Sequence, residues 1–157
     1  MHLRTRLLPI ALLICSLSGA AIAAPAAPQR DLAQEEANRS LVLNFYNQFF
    51  NEHNTAEASK VMTDDYRQHN PHVPDGKAPM VGYFTEFFKT HPEARAKVVR
   101  SATDGDLVYL HVHSTESPAD RGQAIMDIFR VQDGRIVEHW DVIQPVPEKA
   151  ANNNTMF

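Results

Sequence analysis

Cysteine is nearly absent. The single one, Cys15, falls inside an apolar leader, so no disulfide framework and no cysteine-ligated metal can be written for the rest of the chain. A Gly-rich phosphate loop, a dinucleotide fingerprint and a nucleophile elbow are missing too, which leaves nucleotide cofactors and serine-type nucleophilic catalysis without support. There is no basic stripe. The net charge of −4 becomes −6 once the two leader arginines are set aside, which argues against nucleic acid or an anionic membrane surface as partner. The one long apolar run, Leu7 to Leu17, is shorter than the roughly 20 residues a spanning helix needs.

That run has a different meaning. Arg4 and Arg6 precede it, and Ala21-Ile22-Ala23 places small residues where a signal peptidase cuts. Residues 1–23 therefore read as a signal peptide, and the mature protein is expected in the periplasm or secreted. Cys15 invites a lipoprotein reading, but Ile14 occupies the position that wants a small residue. Residues 24–30, rich in Ala and Pro, read as a disordered spacer. One ordinary domain over 31–147 follows, with a tail over 148–157.

Within the domain the hydrophobic period changes once. Asp31 to His53 reads as a long helix, with Ala37, Leu41, Phe45 and Phe49 four apart and Val42, Tyr46 and Phe50 widening the stripe. A short helix over Ala56–Met62, a Pro-rich loop over Tyr66–Lys77 and a third helix over Ala78–Thr90 come next. From Arg95 onward the period is two: strands over 96–103, 107–115, 123–131 and 135–144, the last pair joined by Asp133-Gly134, a strong hairpin signal. Helices followed by an antiparallel meander give an α+β class. The expected architecture is a cone-shaped α+β barrel, its N-terminal helices packed in a curved, mainly antiparallel sheet.

Alternation along the last two strands yields the candidate site. Ile125, Asp127, Phe129 and Val131 share one face, and Val137, His139, Asp141 and Ile143 share the facing one. Both rows are apolar apart from Asp127, His139 and Asp141. Aspartates on a buried face are costly unless paired, which marks these as candidates for chemistry or for satisfied structural carboxylates. A carboxylate in a partly desolvated cavity is suited to taking a proton from carbon beside a carbonyl, and His139 could orient Asp141 or share its proton. The opposite row, Ala124, Met126, Ile128 and Arg130 with Ile136, Glu138, Trp140 and Val142, is also rather apolar and suggests a homodimer interface.

Histidines form the second cluster. His111 and His113 lie two apart on a strand, and His69 and His72 sit in the loop, so with Asp127 or Asp141 they make a conceivable metal site. His-x-His on a strand is more often a polar face than a ligand pair, and the expectation is no metal and no cofactor.

The stretch from Asp127 to Asp141, DIFRVQDGRIVEHWD, resembles the C-terminal signature of SnoaL-like proteins of the nuclear transport factor 2-like superfamily. The opening helix, Tyr66-Arg67-Gln68-His69-Asn70-Pro71 and the Asn154–Phe157 ending extend the resemblance, which looks closest to a bacterial branch of aldol-condensation enzymes. The resemblance implies the cone fold, a dimer through the back of the sheet, and at Asp141 a general acid/base for an aldol closure. It places an Asp, at 127, where the cyclases carry a His, so the second catalytic group is Asp127, His69 or His139. Tyr66, Asn70, His72, His111, His113 and Phe129 are the expected substrate contacts. The reading is a cofactor-independent aldol-type cyclase or isomerase acting on a small hydrophobic carbonyl compound. The alternative is a periplasmic ligand-binding module of the same fold.

Overall fold

The computed structural model describes residues 30–157; the expected signal peptide and nearly all of the spacer lie outside them. Helix α1 spans Leu32–Phe50 and is capped by Asp31, whose carboxylate accepts from the Gln34 N–H at 3.0 Å. A short helix α2, Thr55–Ala58, runs through a 3₁₀ turn at Ser59–Val61 into strand β1, Met62–Gln68. Helix α3 covers Lys77–Thr90, and β2 (Arg95–Asp104), β3 (Leu107–Thr115), β4 (Gln123–Gln132) and β5 (Arg135–Pro145) complete the chain. Among the described residues no helix is long and apolar enough to cross a membrane.

The strands form one open sheet in the order β1-β5-β4-β3-β2, antiparallel except where β1 lies parallel to β5. The class is α+β, as the change of period implies, with α1 crossing the inner face against β2 and β3. The edge strand β1 is the element the sequence conceals. Its residues, MTDDYRQ, are mostly polar and do not alternate, and only Met62 and Tyr66 are buried. The expected second helix thus ends earlier and the expected loop begins later. At the other hairpin, Asp133 (φ 50°) and Gly134 (φ 71°) both take the left-handed conformation that a tight two-residue turn demands.

Two local departures from simple periodicity matter. The buried stripe of α1 is Glu35, Asn38, Val42, Phe45, Tyr46 and Phe49, so Ala37 lies outside and two polar residues lie inside. Glu35 is buried because it is the anchor for the β2–β3 turn, accepting from the Thr103 hydroxyl (3.0 Å) and the Gly105 N–H (3.2 Å) and pairing with Arg30. The second departure is a bulge in β5: Val131 pairs with Ile136 but Arg130 pairs with Glu138. The additional residue, Val137, reverses the faces on the β-turn side of it, so Ile136 rather than Val137 is buried in the core. Beyond the bulge the alternation is as expected, with His139, Asp141 and Ile143 facing inward opposite Phe129, Asp127 and Ile125.

The core closes over these rows. Phe45 and Tyr46 of α1 meet Phe129 edge-on at 5.9 and 6.2 Å, and Val108, Leu110 and Val112 of β3 are fully buried beneath. The core leaves the end of the cone away from the β2–β3 turn open.

Candidate functional site

A cavity of about 830 Å³ occupies that open end. One wall is aromatic, from Phe50 of α1 and Tyr83, Phe84, Phe87 and Phe88 of α3; the sheet side carries Ile125, Asp127, Phe129, His139, Asp141 and Ile143. Helix α3 reaches it because its apolar side turns towards α1, where Phe84 packs on Phe49 (5.5 Å) and Phe50 (5.1 Å). That size and lining suit a small, largely hydrophobic molecule.

The polar floor is a connected hydrogen-bond network. Asp127 and Asp141 are direct partners across β4 and β5. The Tyr46 hydroxyl donates to Asp127 Oδ2 at 2.8 Å, while His139 Nε2 stands 3.0 Å from Asp127 Oδ1. His139 Nδ1 lies 2.9 Å from Gln68 Oε1. The same oxygen accepts the Asn70 N–H at 3.0 Å, which fixes the Gln68 amide with its carbonyl towards the ring. His139 Nδ1 is therefore a donor, and one proton occupies the line between His139 Nε2 and Asp127 Oδ1. Asn70 is fixed in the same manner: its Oδ1 accepts the His72 N–H (2.9 Å), so its Nδ2 faces Asp141 and donates to the two carboxylate oxygens at 3.0 and 2.7 Å.

Asp127 and His139 are only 5% and 7% exposed, whereas Asp141 is half-buried at the cavity surface. Burial, and then the charge of Asp127, pushes the Tyr46 hydroxyl well above the usual phenol range, so it remains a donor. Tyr66 is raised for the same two reasons, in the same order.

Of the residues singled out in the sequence, Asp127, His139, Asp141, Asn70, His72 and Phe129 all line this cavity. Four do not. Tyr66 is fully buried and packs in the core near His139, its ring centroid 6.5 Å from the imidazole. His69 follows the last residue of β1 and turns to the outer face, where it stacks on Trp140 at 4.6 Å and meets Glu138 at 2.8 Å. His111 and His113 also face outward, because Val108, Leu110 and Val112 take the inward positions of β3. Their rings stack against Phe157 of the tail at 5.7 and 4.2 Å. Arg100 donates to His111 Nδ1 (2.8 Å), and His113 Nε2 donates to the Arg121 carbonyl (2.9 Å). His139 also differs from expectation: its partner is Asp127, not Asp141.

Two members were missed. Tyr46 was visible as the one hydroxyl in a phenylalanine-rich helix stripe. Gln68 carried no signal, since its strand was hidden. With respect to metals, the expected histidine set is dispersed over two faces of the sheet, but Asp127, His139 and Asp141 each offer one donor atom, all within 4.8 Å of one another.

Residues 42–139 match the SnoaL-like domain family. No curated protein sequence matches the chain significantly. Solved structures similar to it include a protein from Kribbella flavida provisionally assigned as a ketosteroid isomerase, with 18% identity over 76% of this chain and 86% of that one and a TM-score of 0.62. A SnoaL-like protein of unknown function from Burkholderia thailandensis has 15% identity over 69% and 97%, TM-score 0.59. A nuclear transport factor 2-like protein of unknown function from Cytophaga hutchinsonii has 17% identity over 69% and 90%, also at 0.59. At these identities the likeness is one of fold.

Proposed function

The chain belongs to the SnoaL-like family, and on that premise we propose that its cavity takes a small hydrophobic carbonyl compound on which Asp141 moves a proton, as an aldol-type cyclase or isomerase does. One observation carries the reading: the two facing carboxylates have different surroundings. Asp127 is buried, with Tyr46 on one oxygen and His139 on the other; Asp141 is at the cavity surface, held by the Asn70 amide. A base must meet its substrate, and the greater exposure of Asp141 to the cavity supports that role for it.

In the proposed step the Asp141 carboxylate removes a proton from the carbon beside the carbonyl. The electron pair moves into the C–C bond and the carbonyl oxygen becomes an enolate. One atom each of Asp127, His139 and Asp141 lies within 4.8 Å of the others, so the proton shared by His139 and Asp127 would stabilise the enolate oxygen by turning towards it. Closure of the enolate carbon on a second carbonyl forms the C–C bond and an alkoxide, which takes the proton from Asp141 to give the aldol product and restore the base; return of that proton to a different carbon of the enolate gives an isomer instead. The provisional ketosteroid isomerase assignment of the Kribbella protein is in keeping with the second outcome. Testing begins with mass spectrometry of small molecules retained on the natively purified protein. It continues with turnover of the recovered ligand by wild type and Asp141→Asn.

A binding module is the second reading, favoured by the donation of Asn70 to both oxygens of Asp141. A retained ligand recovered unchanged, with no proton exchange, would establish it.

Assembly and address belong to the same proposal. Met126 (44% exposed) and Val142 (72% exposed) lie on the outer face beside Ile128 and Trp140, and a homodimer would cover them. Met126→Glu with Ile128→Glu should give a folded monomer by light scattering; a wild type already monomeric refutes the dimer. Export by the leader predicts a mature N-terminus at Ala24, checked by N-terminal sequencing.

A further inference from the structure

Three donor atoms converge on the cavity floor: one imidazole nitrogen from His139 and one carboxylate oxygen each from Asp127 and Asp141. We propose that they form a binding site for a divalent first-row transition cation, of the Mn²⁺ or Zn²⁺ class. The chemistry of the set is right, since a nitrogen with two anionic oxygens suits these ions and three protein ligands leave positions open to the cavity.

Geometry agrees. Neighbouring ligands of a cation bonded at about 2.1 Å stand about 3 Å apart when the bonds meet near a right angle. His139 Nε2 and Asp127 Oδ1 stand 3.0 Å apart. All three donor atoms lie within 4.8 Å of one another, and a cation would draw Asp141 inward in exchange for one of its two Asn70 contacts.

The surroundings of the three ligands are the stronger argument. A metal-binding histidine generally gives its other ring N–H to a carbonyl or carboxylate, and its carboxylate neighbours are hydrogen-bonded in turn. Here His139 Nδ1 donates to Gln68 Oε1, Tyr46 donates to Asp127 Oδ2, and Asn70 Nδ2 donates to Asp141. Gln68 and Tyr46 orient His139 and Asp127 through the atoms that face away from the set, while Asn70 holds both oxygens of Asp141 and would yield one of them to a cation. Countercharge is the third argument. Among the described residues no Lys or Arg is paired with either carboxylate, and the cavity's arginines donate to backbone carbonyls, Arg95 to Pro92 and Ala94 and Arg121 to Val146. The proton shared by His139 and Asp127 offsets one of the two charges, and a divalent cation in its place would offset both.

The cation proposal does not require turnover. Occupancy holds Asp141, so a loaded pocket and Asp141 acting as a base are alternative states of one site. Binding is therefore measured on the substrate-free protein, produced without a polyhistidine tag, using Mn²⁺ by electron paramagnetic resonance and Zn²⁺ by calorimetry. The expected result is one site per chain. Asp141→Asn and Asp127→Asn should each weaken it at least 100-fold, with circular dichroism confirming the fold. Gln68→Leu, which touches no cation, should weaken it about 10–100-fold by releasing the imidazole. The double variant His111→Ala, His113→Ala should bind as wild type does. Absence of stoichiometric binding of either ion, or binding that survives Asp141→Asn and Asp127→Asn or is lost in the His111/His113 variant, overturns the proposal. None of these outcomes bears on proton abstraction by the metal-free chain.

Discussion

The two faces of the same strand pair, β4 and β5, carry polar networks of opposite kinds. Outward, Arg130 donates to Asp106 at 2.9 and 2.8 Å and to Glu138 at 2.9 Å, and Glu138 also meets His69 at 2.8 Å. The His69 contact first, and Arg130 after it, hold the Glu138 carboxyl below its ordinary range. Inward, Asp127 and Asp141 have no Arg or Lys partner among the described residues and are satisfied by Tyr46, His139 and Asn70. The outer face holds full ion pairs, Arg130 with Asp106 and with Glu138, in which each charge meets an opposite one. A buried face forces every polar atom into a specific partner, and a failure there is expensive. The outer network is surface chemistry; the inner one is the site.

The largest way to break that contrast is to strand a buried charge. Asp127→Ala leaves His139 facing an empty position, and removal of one member of a buried pair costs about 3–5 kcal/mol. Urea unfolding should register that loss. Tyr46→Phe should cost less, about 1–3 kcal/mol, by leaving Asp127 Oδ2 without its donor while keeping the ring against Phe129. On the outer face, Glu138→Gln should cost less than either, because Gln keeps an oxygen for Arg130 and Asp106 still pairs with that guanidinium. If Glu138→Gln destabilises as much as Asp127→Ala does, the distinction between the faces fails.

A fourth prediction concerns the closed end of the cone. The Glu35 carboxyl is held at about 2, against an ordinary 4.5, first by the Arg30 guanidinium and then, against the opposing effect of burial, by Thr103 and Gly105. Its folded value lies below the unfolded one, so its contribution is complete above about 4.5 and is lost as the pH falls towards 2. Melting curves across that window should show wild type losing more stability than Glu35→Gln. Parallel curves would show that Glu35 does not anchor the β2–β3 turn as an anion.

Much of this was legible before any coordinates. Alternation alone put Asp127, His139 and Asp141 on one inner face, because a strand's period of two is rigid wherever no bulge intervenes. It misplaced Val137 and Ile136, because the bulge in β5 leaves no trace in a run such as Arg135-Ile136-Val137-Glu138. Alternation also says which residues share a face but not which face is inside. Tyr109, His111 and His113 share one side of β3, and only the burial of Val108, Leu110 and Val112 shows that it is the outer one. His69 was unreadable for another reason: its direction depends on β1, whose polar sequence hides a strand made by pairing with β5 rather than by its own pattern. Site members within the signature were found, as were Asn70 and His72 of the loop motif; Tyr46, inside a helix stripe, and Gln68, on the hidden strand, were not.

The central claim is that Asp141 is the working base and Asp127 its buried support. Deuterium uptake from heavy water into the carbon beside the carbonyl of the recovered ligand, followed by nuclear magnetic resonance, tests it most directly. Wild type should catalyse the exchange. Asp141→Asn should slow it by about 10²–10⁴-fold with an unchanged melting temperature, because Asn keeps the outline of the side chain and removes only its ability to take a proton. Exchange at the wild-type rate in Asp141→Asn, or a variant that melts far below wild type, would contradict the account and make Asp141 part of the scaffold.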